Sequence, residues 1–234
     1  MRGLLNPFAL AQSGIDITFT ENGTYDLNAL GFTGFDAMEF ALLGPGGAAR
    51  LDGYDGTQRE GGDGGCLVYG RAIPYWGVRP YRLRITDAGC RIEAFSDPNW
   101  IQLTFATVGG GTRDTSDVWW DHVSSTIRFG GRGSLNGGAE DGPNNWNRRG
   151  GGAAGFLSDG QSGPTDAIYT ADGKGGGGND LTGNSNGALA GISPNLNGLN
   201  FGGGAGVEGD TLGTPGRPIA RIMGKSSKTF PSGT

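Results

Sequence analysis

The chain has 234 residues, carries a formal net charge of -5 at pH 7 and contains 50 glycines. This mild acidity excludes the usual kind of nucleic-acid-binding protein, which needs a basic stripe to meet the phosphates. No apolar run approaches the roughly 20 residues that a membrane-spanning helix needs, so membrane insertion is not expected either.

Glycine divides the chain into two unlike parts, with 20 glycines in residues 1–128 and 30 in residues 129–234. In the second part Leu, Ile, Val and Phe together number 16 of 106 residues, below the roughly 20% at which chains tend toward disorder. Only the first part can therefore build a core of its own. We predict an N-terminal segment, a β domain, a glycine-rich distal region, and a C-terminal strand and tail, at residues 1–14, 15–128, 129–218 and 219–234.

A strand and a turn open the predicted β domain. Residues 15–20 alternate strictly between apolar and polar, as expected for a strand with one buried face. Asn22-Gly23 follows and favours the positive φ angles of a hairpin turn, and Tyr25 and Leu27 continue the apolar face beyond it. The pattern predicts a β-hairpin over this stretch.

Six further runs have the composition of strands, and no window has the period of an amphipathic helix. Such runs at roughly ten-residue spacing, separated by glycine turns, predict an all-β fold whose N-terminal domain is a sandwich or is barrel-like. The predicted strands are Ala37–Leu43, Cys66–Ile73, Tyr81–Thr86, Arg91–Phe95, Trp100–Val108 and Val118–Phe129.

The two cysteines, Cys66 and Cys90, are too few for a disulfide framework. Each begins a strand-like run, so the two are possible neighbours and a disulfide between them is an alternative. The favoured interpretation is a pair of free, buried thiols.

The glycine bursts in the distal part, such as Gly150–Gly152, Gly175–Gly178 and Gly202–Gly204, alternate with irregular polar segments. Collagen is excluded because no stretch keeps glycine at every third position. The composition predicts little regular secondary structure. A polyglycine II arrangement is the specific alternative, in which left-handed helices with three residues per turn hydrogen-bond to one another laterally.

Residues with catalytic or metal-binding chemistry are few. His122 is the only histidine, and Asp121 beside it would point to the opposite face of a strand, so the two cannot form a hydrolytic triad. Gly150–Gly155 fits the dinucleotide-binding pattern, but no core strand precedes it. One histidine and two separated cysteines make no zinc site. The sequence predicts no enzyme, no cofactor and no metal site.

Recognition residues are predicted in the distal loops instead. An aromatic ring among hydrogen-bonding amides is common where loops contact sugars or protein surfaces, although a purely structural role for the tryptophan is the alternative. The candidate receptor-contact residues are Asn144, Asn145, Trp146, Asn147 and Tyr169.

Three stretches together resemble glycine-rich virion proteins of tailed bacteriophages. They are the strand and turn at residues 17–25 (ITFTENGTY), the strand running into glycine at residues 38–47 (MEFALLGPGG), and the burst at residues 61–65 (GGDGG). The start Asn6-Pro7-Phe8 resembles short N-terminal segments of phage fibre-associated proteins. The later bursts are similar to those of tail-fibre tip adhesins of T-even phages, whose glycine motifs form a polyglycine sandwich that carries variable receptor-contacting loops.

The resemblance implies a non-enzymatic protein located in the virion, a fibre or host-attachment component that contacts a host surface glycan or protein receptor. It also implies that the N-terminal segment binds other virion proteins. A homotrimer is expected because three chains can share a core that the apolar-poor distal part cannot build alone. The alternatives are a purely structural head, neck or minor capsid subunit and, less favoured, a polysaccharide depolymerase.

Overall fold

The computed structural model describes residues 14–32, 37–52, 58–74, 79–108, 111–113, 120–133, 150–162, 201–208, 211–224 and 230. These residues contain strands and connections but no helix, so the predicted all-β fold is confirmed. The strands of the described part are β1 (Ile15–Phe19), β2 (Gly23–Asp26), β3 (Met38–Leu43), β4 (Arg50–Asp52), β5 (Gln58–Glu60), β6 (Leu67–Pro74), β7 (Tyr81–Thr86), β8 (Gly89–Ser96), β9 (Asn99–Ala106), β10 (Gly111–Arg113), β11 (Trp120–Arg128), β12 (Val207–Glu208), β13 (Thr211–Leu212) and β14 (Ile219–Gly224).

Two antiparallel five-stranded sheets form a sandwich. Sheet I has the order β1-β14-β3-β6-β11, and sheet II has the order β10-β9-β8-β7-β2. The short pairs β4-β5 and β12-β13 are separate hairpins. Neither large sheet closes on itself in the described residues, so of the two predicted forms the sandwich is the observed one.

The core lies between the facing sides of the two sheets, where alternate residues of each strand point inward. On β7, Tyr81, Leu83 and Ile85 are buried, whereas the residues between them are partly exposed. Phe40 and Ile222 fill the core from the opposite sheet and are completely buried. The period of two in the sequence therefore sets which side of each strand faces the core.

Most predicted strands are confirmed to within two residues of their ends, including β3, β6, β7 and β9. The predicted hairpin at the start of the β domain is wrong. β1 pairs with β14 in sheet I, and β2 pairs with β7 in sheet II, so the chain crosses from one sheet to the other at residues 20–22. Gly23 lies inside β2, and positive φ occurs among the described glycines only at Gly31, Gly89 and Gly202.

Both cysteines are buried in the sandwich core and unpaired, as the favoured interpretation predicted. Burial raises the pKa of the Cys66 thiol to about 12, with a smaller contribution from the charge of Asp159. Burial also raises the pKa of the Cys90 thiol, whose sulfur lies 3.5 Å from the Leu43 carbonyl oxygen. Both groups therefore remain protonated and unreactive at neutral pH.

The outer face of sheet I carries a second apolar cluster, which does not belong to the sandwich core. Leu43, Leu67 and Tyr69 point outward there and pack against Phe156, which comes from the glycine-rich part of the chain. The Tyr69 and Phe156 rings meet edge to face, with centroids 5.0 Å apart, and the Tyr69 hydroxyl donates a hydrogen bond to the Phe156 carbonyl at 3.2 Å. Sheet I is consequently buried on both sides at this end.

A glycine lattice and its outer end

Seven extended backbone segments assemble beyond one end of sheet I, and we call this assembly the glycine lattice. Its members share a high glycine content and extended backbone that makes almost no ladder pairing of the kind found in sheets. The segments are residues 44–49, 61–66, 129–133, 150–155, 159–162, 201–206 and 213–217.

Four of the segments continue strands of sheet I and form a first layer. Residues 44–49 follow β3, residues 61–66 precede β6, residues 129–133 follow β11, and residues 213–217 precede β14. Because these strands are neighbours in the sheet, their continuations are neighbours in the lattice. The other three segments form a second layer over the first, on the side of Phe156.

The hydrogen bonds of the lattice repeat every three residues. Gly62 and Gly65 both donate to segment 201–206, at the carbonyl oxygens of Ala205 and Gly202. Between these two donors, Gly64 donates in another direction, to Gly131.

The second layer follows the same rule. Gly151 and Ala154 both donate to segment 61–66, at Gly62 and Gly65, whereas Gly152 between them donates to Gln161. Three residues per turn, with lateral bonds to several neighbours, is the arrangement of polyglycine II, which the sequence offered as an alternative. The lateral N···O distances across the lattice are 2.6–3.0 Å, within the normal range for backbone hydrogen bonds.

Glycine is required here because the backbones approach one another closely. A Cβ added to Gly62 would lie well under 3.0 Å from the carbonyl oxygen of Gly47, and one added to Gly151 would meet the carbonyl of Gly131 in the same way. Neither glycine has the positive φ that would otherwise explain it. The absent side chain is what allows one segment to bond to several neighbours at once.

The direction of each segment follows from its hydrogen-bond partners. Segment 61–66 runs back toward sheet I, and segment 150–155 is parallel to it because Gly151 and Ala154 pair with Gly62 and Gly65. Segment 201–206 is antiparallel to it and therefore runs away from the sheet. Segments 44–49 and 129–133 also run away from the sheet, since they continue β3 and β11.

These directions define the end of the lattice that lies away from sheet I, which we call the outer end. The β4-β5 and β12-β13 hairpins begin there. The chain also leaves the described residues at Gly133 and Ser162 and returns at Gly150 on that side. The inner end, by contrast, holds the turn at residues 156–158 and Phe201, both against sheet I, and the chain re-enters the described residues there at Phe201.

Two aspartates fasten the exit segments to the lattice. The Asp63 carboxylate accepts a hydrogen bond from the Gly133 N–H at 2.8 Å, at the last described residue before the chain departs. The Asp159 carboxylate accepts one from the Phe129 N–H at 2.9 Å. A carboxylate that accepts from a backbone amide makes a stronger bond than a neutral group does, so the exit at Gly133 and the inner ends of segments 129–133 and 159–162 are held firmly.

The residues predicted to contact a receptor, Asn144, Asn145, Trp146, Asn147 and Tyr169, lie outside the described residues. What the structure describes is the frame at their borders, at Gly133, Gly150 and Ser162. The predicted boundary at residue 129 separates segments that are adjacent in space, since residues 44–49 and 61–66 belong to the same lattice as the later bursts. The glycines at 44–47 and 61–65 were the sequence signal for these two segments.

The described residues hold no group of three or more His, Cys, Asp or Glu side chains that is arranged to bind a metal ion. In the same residues no helix is long and apolar enough to cross a membrane. The side chain of His122, on β11, lies outside the described part.

A scan against models of protein families finds none that matches this chain, and a search of curated proteins finds no match either.

Proposed function

We propose that this chain is a host-attachment component of a tailed-bacteriophage virion, which presents its variable loops at the outer end of the glycine lattice. The observation that carries the proposal is the common location of the loop exits. The described borders at Gly133, Gly150 and Ser162, together with two hairpins, lie at the outer end of the lattice, whereas the border at Phe201 lies at the inner end. Loops that carry recognition on a rigid scaffold are a recurring arrangement in binding proteins.

The lattice suits this role because it makes few demands on sequence outside its own segments. Most of its bonds join backbone groups of its own segments, so the length and composition of an excursion can change without altering them. The two aspartates and the aromatic contact at Phe156 fix the ends of the segments from within. A receptor-contacting surface that must vary between hosts benefits from such a separation of frame and loop.

The decisive experiment compares loop variants with a matched variant at the inner end. Trp146→Ala and Tyr169→Ala should leave the circular dichroism spectrum and the melting temperature unchanged but reduce attachment of the labelled protein to its host bacterium. Leu157→Ser is the control, because Leu157 is an exposed apolar residue (67% exposed) at the opposite end of the lattice. If the loop variants and the control attach equally well, the protein is better described as a structural subunit.

Location in the virion has a separate test, which does not depend on a receptor. Antibodies against the purified chain should label phage particles in electron micrographs, at the tail for an attachment component and at the head or neck for the structural alternative. Residues 1–14, the proposed contact with other virion proteins, lie almost entirely outside the described residues. Their removal should release the chain from particles without changing its fold.

A homotrimer is part of the proposal, because the apolar deficit after residue 129 leaves a core that three chains can share. The alternative is a monomer, in which the bonds between lattice segments of one chain are sufficient. Light scattering on the purified protein decides between the two states. A mass of three chains supports the trimer, and a mass of 24.0 kDa excludes it.

A further inference from the structure

The outer face of sheet II presents a row of four residues that lie directly opposite one another on adjacent strands. In order across the sheet the row runs Thr24, Arg84, Arg91 and Phe105, on β2, β7, β8 and β9. We call it the arginine row. Its two arginines and its phenylalanine are partly exposed, whereas their neighbours along each strand are buried in the core.

The two arginines of the row are a destabilising pair in the isolated protein. Arg84 and Arg91 occupy directly opposed positions of an antiparallel ladder, where like charges repel. Arg91 has a partner in Glu93, with an Nε–Oε1 distance of 3.1 Å. Arg84 has no ion-pair partner among the described residues.

The next row along the same face differs, because its charges are compensated. Arg82 lies opposite Glu93, with an Nε–Oε2 distance of 2.6 Å, and its guanidinium stacks on the Trp100 ring at 3.9 Å. Glu93 thus forms ion pairs with two arginines, Arg82 and Arg91, and not with Arg84. The arginine row keeps an excess of positive charge on a chain whose net charge is -5.

An aromatic surface adjoins the positive charge. The Phe105 ring lies beside Arg91 and over Gly89, where an added Cβ would come within 2.8 Å of the ring. Gly89 also has a φ of 140°, so both its backbone and its missing side chain allow the ring to lie on the sheet. Trp100 and Phe95, with ring centroids 5.3 Å apart, extend the aromatic surface along the same strands.

We propose that the arginine row is a binding site for a carboxylated polysaccharide. The Cα atoms of opposed residues on neighbouring antiparallel strands are about 5 Å apart. The guanidinium groups of Arg84 and Arg91 can therefore both bind the same carboxylate. The Phe105 ring would take the apolar face of the same sugar ring, since aromatic rings bury C–H surface well. A bound carboxylate would also relieve the repulsion between Arg84 and Arg91.

Nucleic acid fits the site less well, although it too is anionic and has rings to stack. Affinity for a phosphate backbone comes mainly from the number of phosphates that a protein neutralises, whereas the row offers two cations on an acidic protein. A polymer with one carboxylate on each sugar matches two arginines beside one ring. The site and its test are independent of the proposed attachment function, because binding is measured on the purified protein alone.

The test is isothermal titration of the full chain with hexagalacturonate, with maltohexaose as the neutral counterpart. Binding of the acidic hexamer should weaken as NaCl is added, because salt screens the arginines. In Arg84→Gln its affinity should fall about tenfold, the loss of one charge-assisted contact. Arg217→Gln is the matched control, since Arg217 is an exposed arginine (72%) on the lattice and should bind as the parent does.

A second variant separates a binding role from a structural one. Arg84→Glu places a carboxylate opposite Arg91, so the melting temperature should rise by about 1–3 °C while hexagalacturonate binding is lost. If Arg84 had only a structural role, the substitution would not raise the melting temperature and abolish hexagalacturonate binding at the same time. Unchanged affinity in Arg84→Gln, or equal binding of maltohexaose, overturns the proposal. So does equal affinity for acetate, inorganic phosphate or an oligothymidylate, which would indicate a free-anion or nucleic-acid site.

Discussion

The sandwich and the glycine lattice are held together by opposite means. In the sandwich, large apolar side chains such as Phe40 and Ile222 fill the space between two sheets and supply the stability. In the lattice the segments lie too close together for large side chains to fit between them, and backbone N–H and C=O groups bond directly to those of neighbouring segments. The comparison teaches that opposite substitutions should damage the two regions, the addition of a side chain in the lattice and the removal of one in the sandwich.

The addition of a side chain to the lattice gives the largest expected effect. Gly62 lies in the segment that bonds to four others, and a side chain there would collide with the Gly47 carbonyl and the Ala48 backbone. Gly62→Val should lower the free energy of unfolding by about 5 kcal/mol or more, since backbone rather than a flexible side chain must move. Hydrogen exchange should show lost protection in the lattice segments and retained protection in β7 and β8.

Gly23→Val is the matched control for that experiment, because Gly23 lies in a strand of the sandwich. The nearest atoms to a Cβ there belong to the Tyr25 side chain, at 3.1 Å, and that ring can turn away. The cost should be about 1 kcal/mol or less. If both variants melt alike, close backbone approach is not what requires glycine in the lattice.

The removal of a large side chain from the sandwich should cost slightly less but reach further. Phe40 is completely buried, and Phe40→Ala should lower the free energy of unfolding by about 3–5 kcal/mol. Because segment 44–49 continues β3, which carries Phe40, the lattice should lose exchange protection together with the sandwich. A lattice that keeps its protection while the sandwich loosens would show that it folds independently.

Much of this architecture is readable in the sequence, because a strand with one buried face alternates in a way that needs no partner to recognise. The limits of β7 follow from such alternation. Partners are another matter, since β1 joins β14 about two hundred residues away, and its alternation fits that pairing as well as the expected hairpin. The Asp16–Arg221 ion pair, at 2.8 Å, cannot be predicted from the sequence around either residue.

The sequence does not indicate which lattice segments lie beside one another, for a related reason. Glycine has no side chain, so a burst gives no indication of which other burst lies beside it, and segments 44–49 and 61–66 resemble ordinary turns in sequence. The three-residue period appears only once the partners of Gly62, Gly64 and Gly65 are known. For the candidate receptor contacts, including Trp146 and Tyr169, the structure describes only the frame at their borders, and they remain predictions.

The contact between the sandwich and the lattice can be tested by removing a single oxygen atom, that of the Tyr69 hydroxyl. Tyr69 on sheet I donates its hydroxyl to the Phe156 carbonyl of the lattice's second layer. Tyr69→Phe keeps the ring contact but removes that bond, so stability should fall by about 0.5–1.5 kcal/mol. Phe19, whose ring packs inside the sandwich, is the corresponding aromatic away from the junction, and Phe19→Tyr gives a control for hydroxyl changes in general. No loss in Tyr69→Phe would mean that the aromatic packing alone joins the regions.

The smallest expected effect concerns Glu39, which lies on the outer face of sheet I beside the same junction. Burial raises the pKa of its carboxyl, and the Phe230 N–H and the charge of Arg71, 3.5 Å away, oppose the rise without cancelling it. A raised pKa means that the folded protein holds the proton more tightly than the unfolded chain does. Glu39 therefore costs stability above its folded pKa, and that cost disappears below the ordinary carboxyl pKa of about 4.3.

Glu39→Gln should accordingly stabilise the protein at pH 7, because the amide keeps an acceptor for the Phe230 N–H and removes the buried charge. The gain should shrink as the pH falls and vanish near pH 4, where the parent carboxyl is itself protonated in both states. Thermal melts of both proteins across pH 4–8 measure the difference directly. Asp16→Asn, which breaks the partly exposed pair with Arg221, is the contrasting variant and should give no gain at neutral pH. A gain in Glu39→Gln that is the same at every pH would show that shape, not ionisation, is the source.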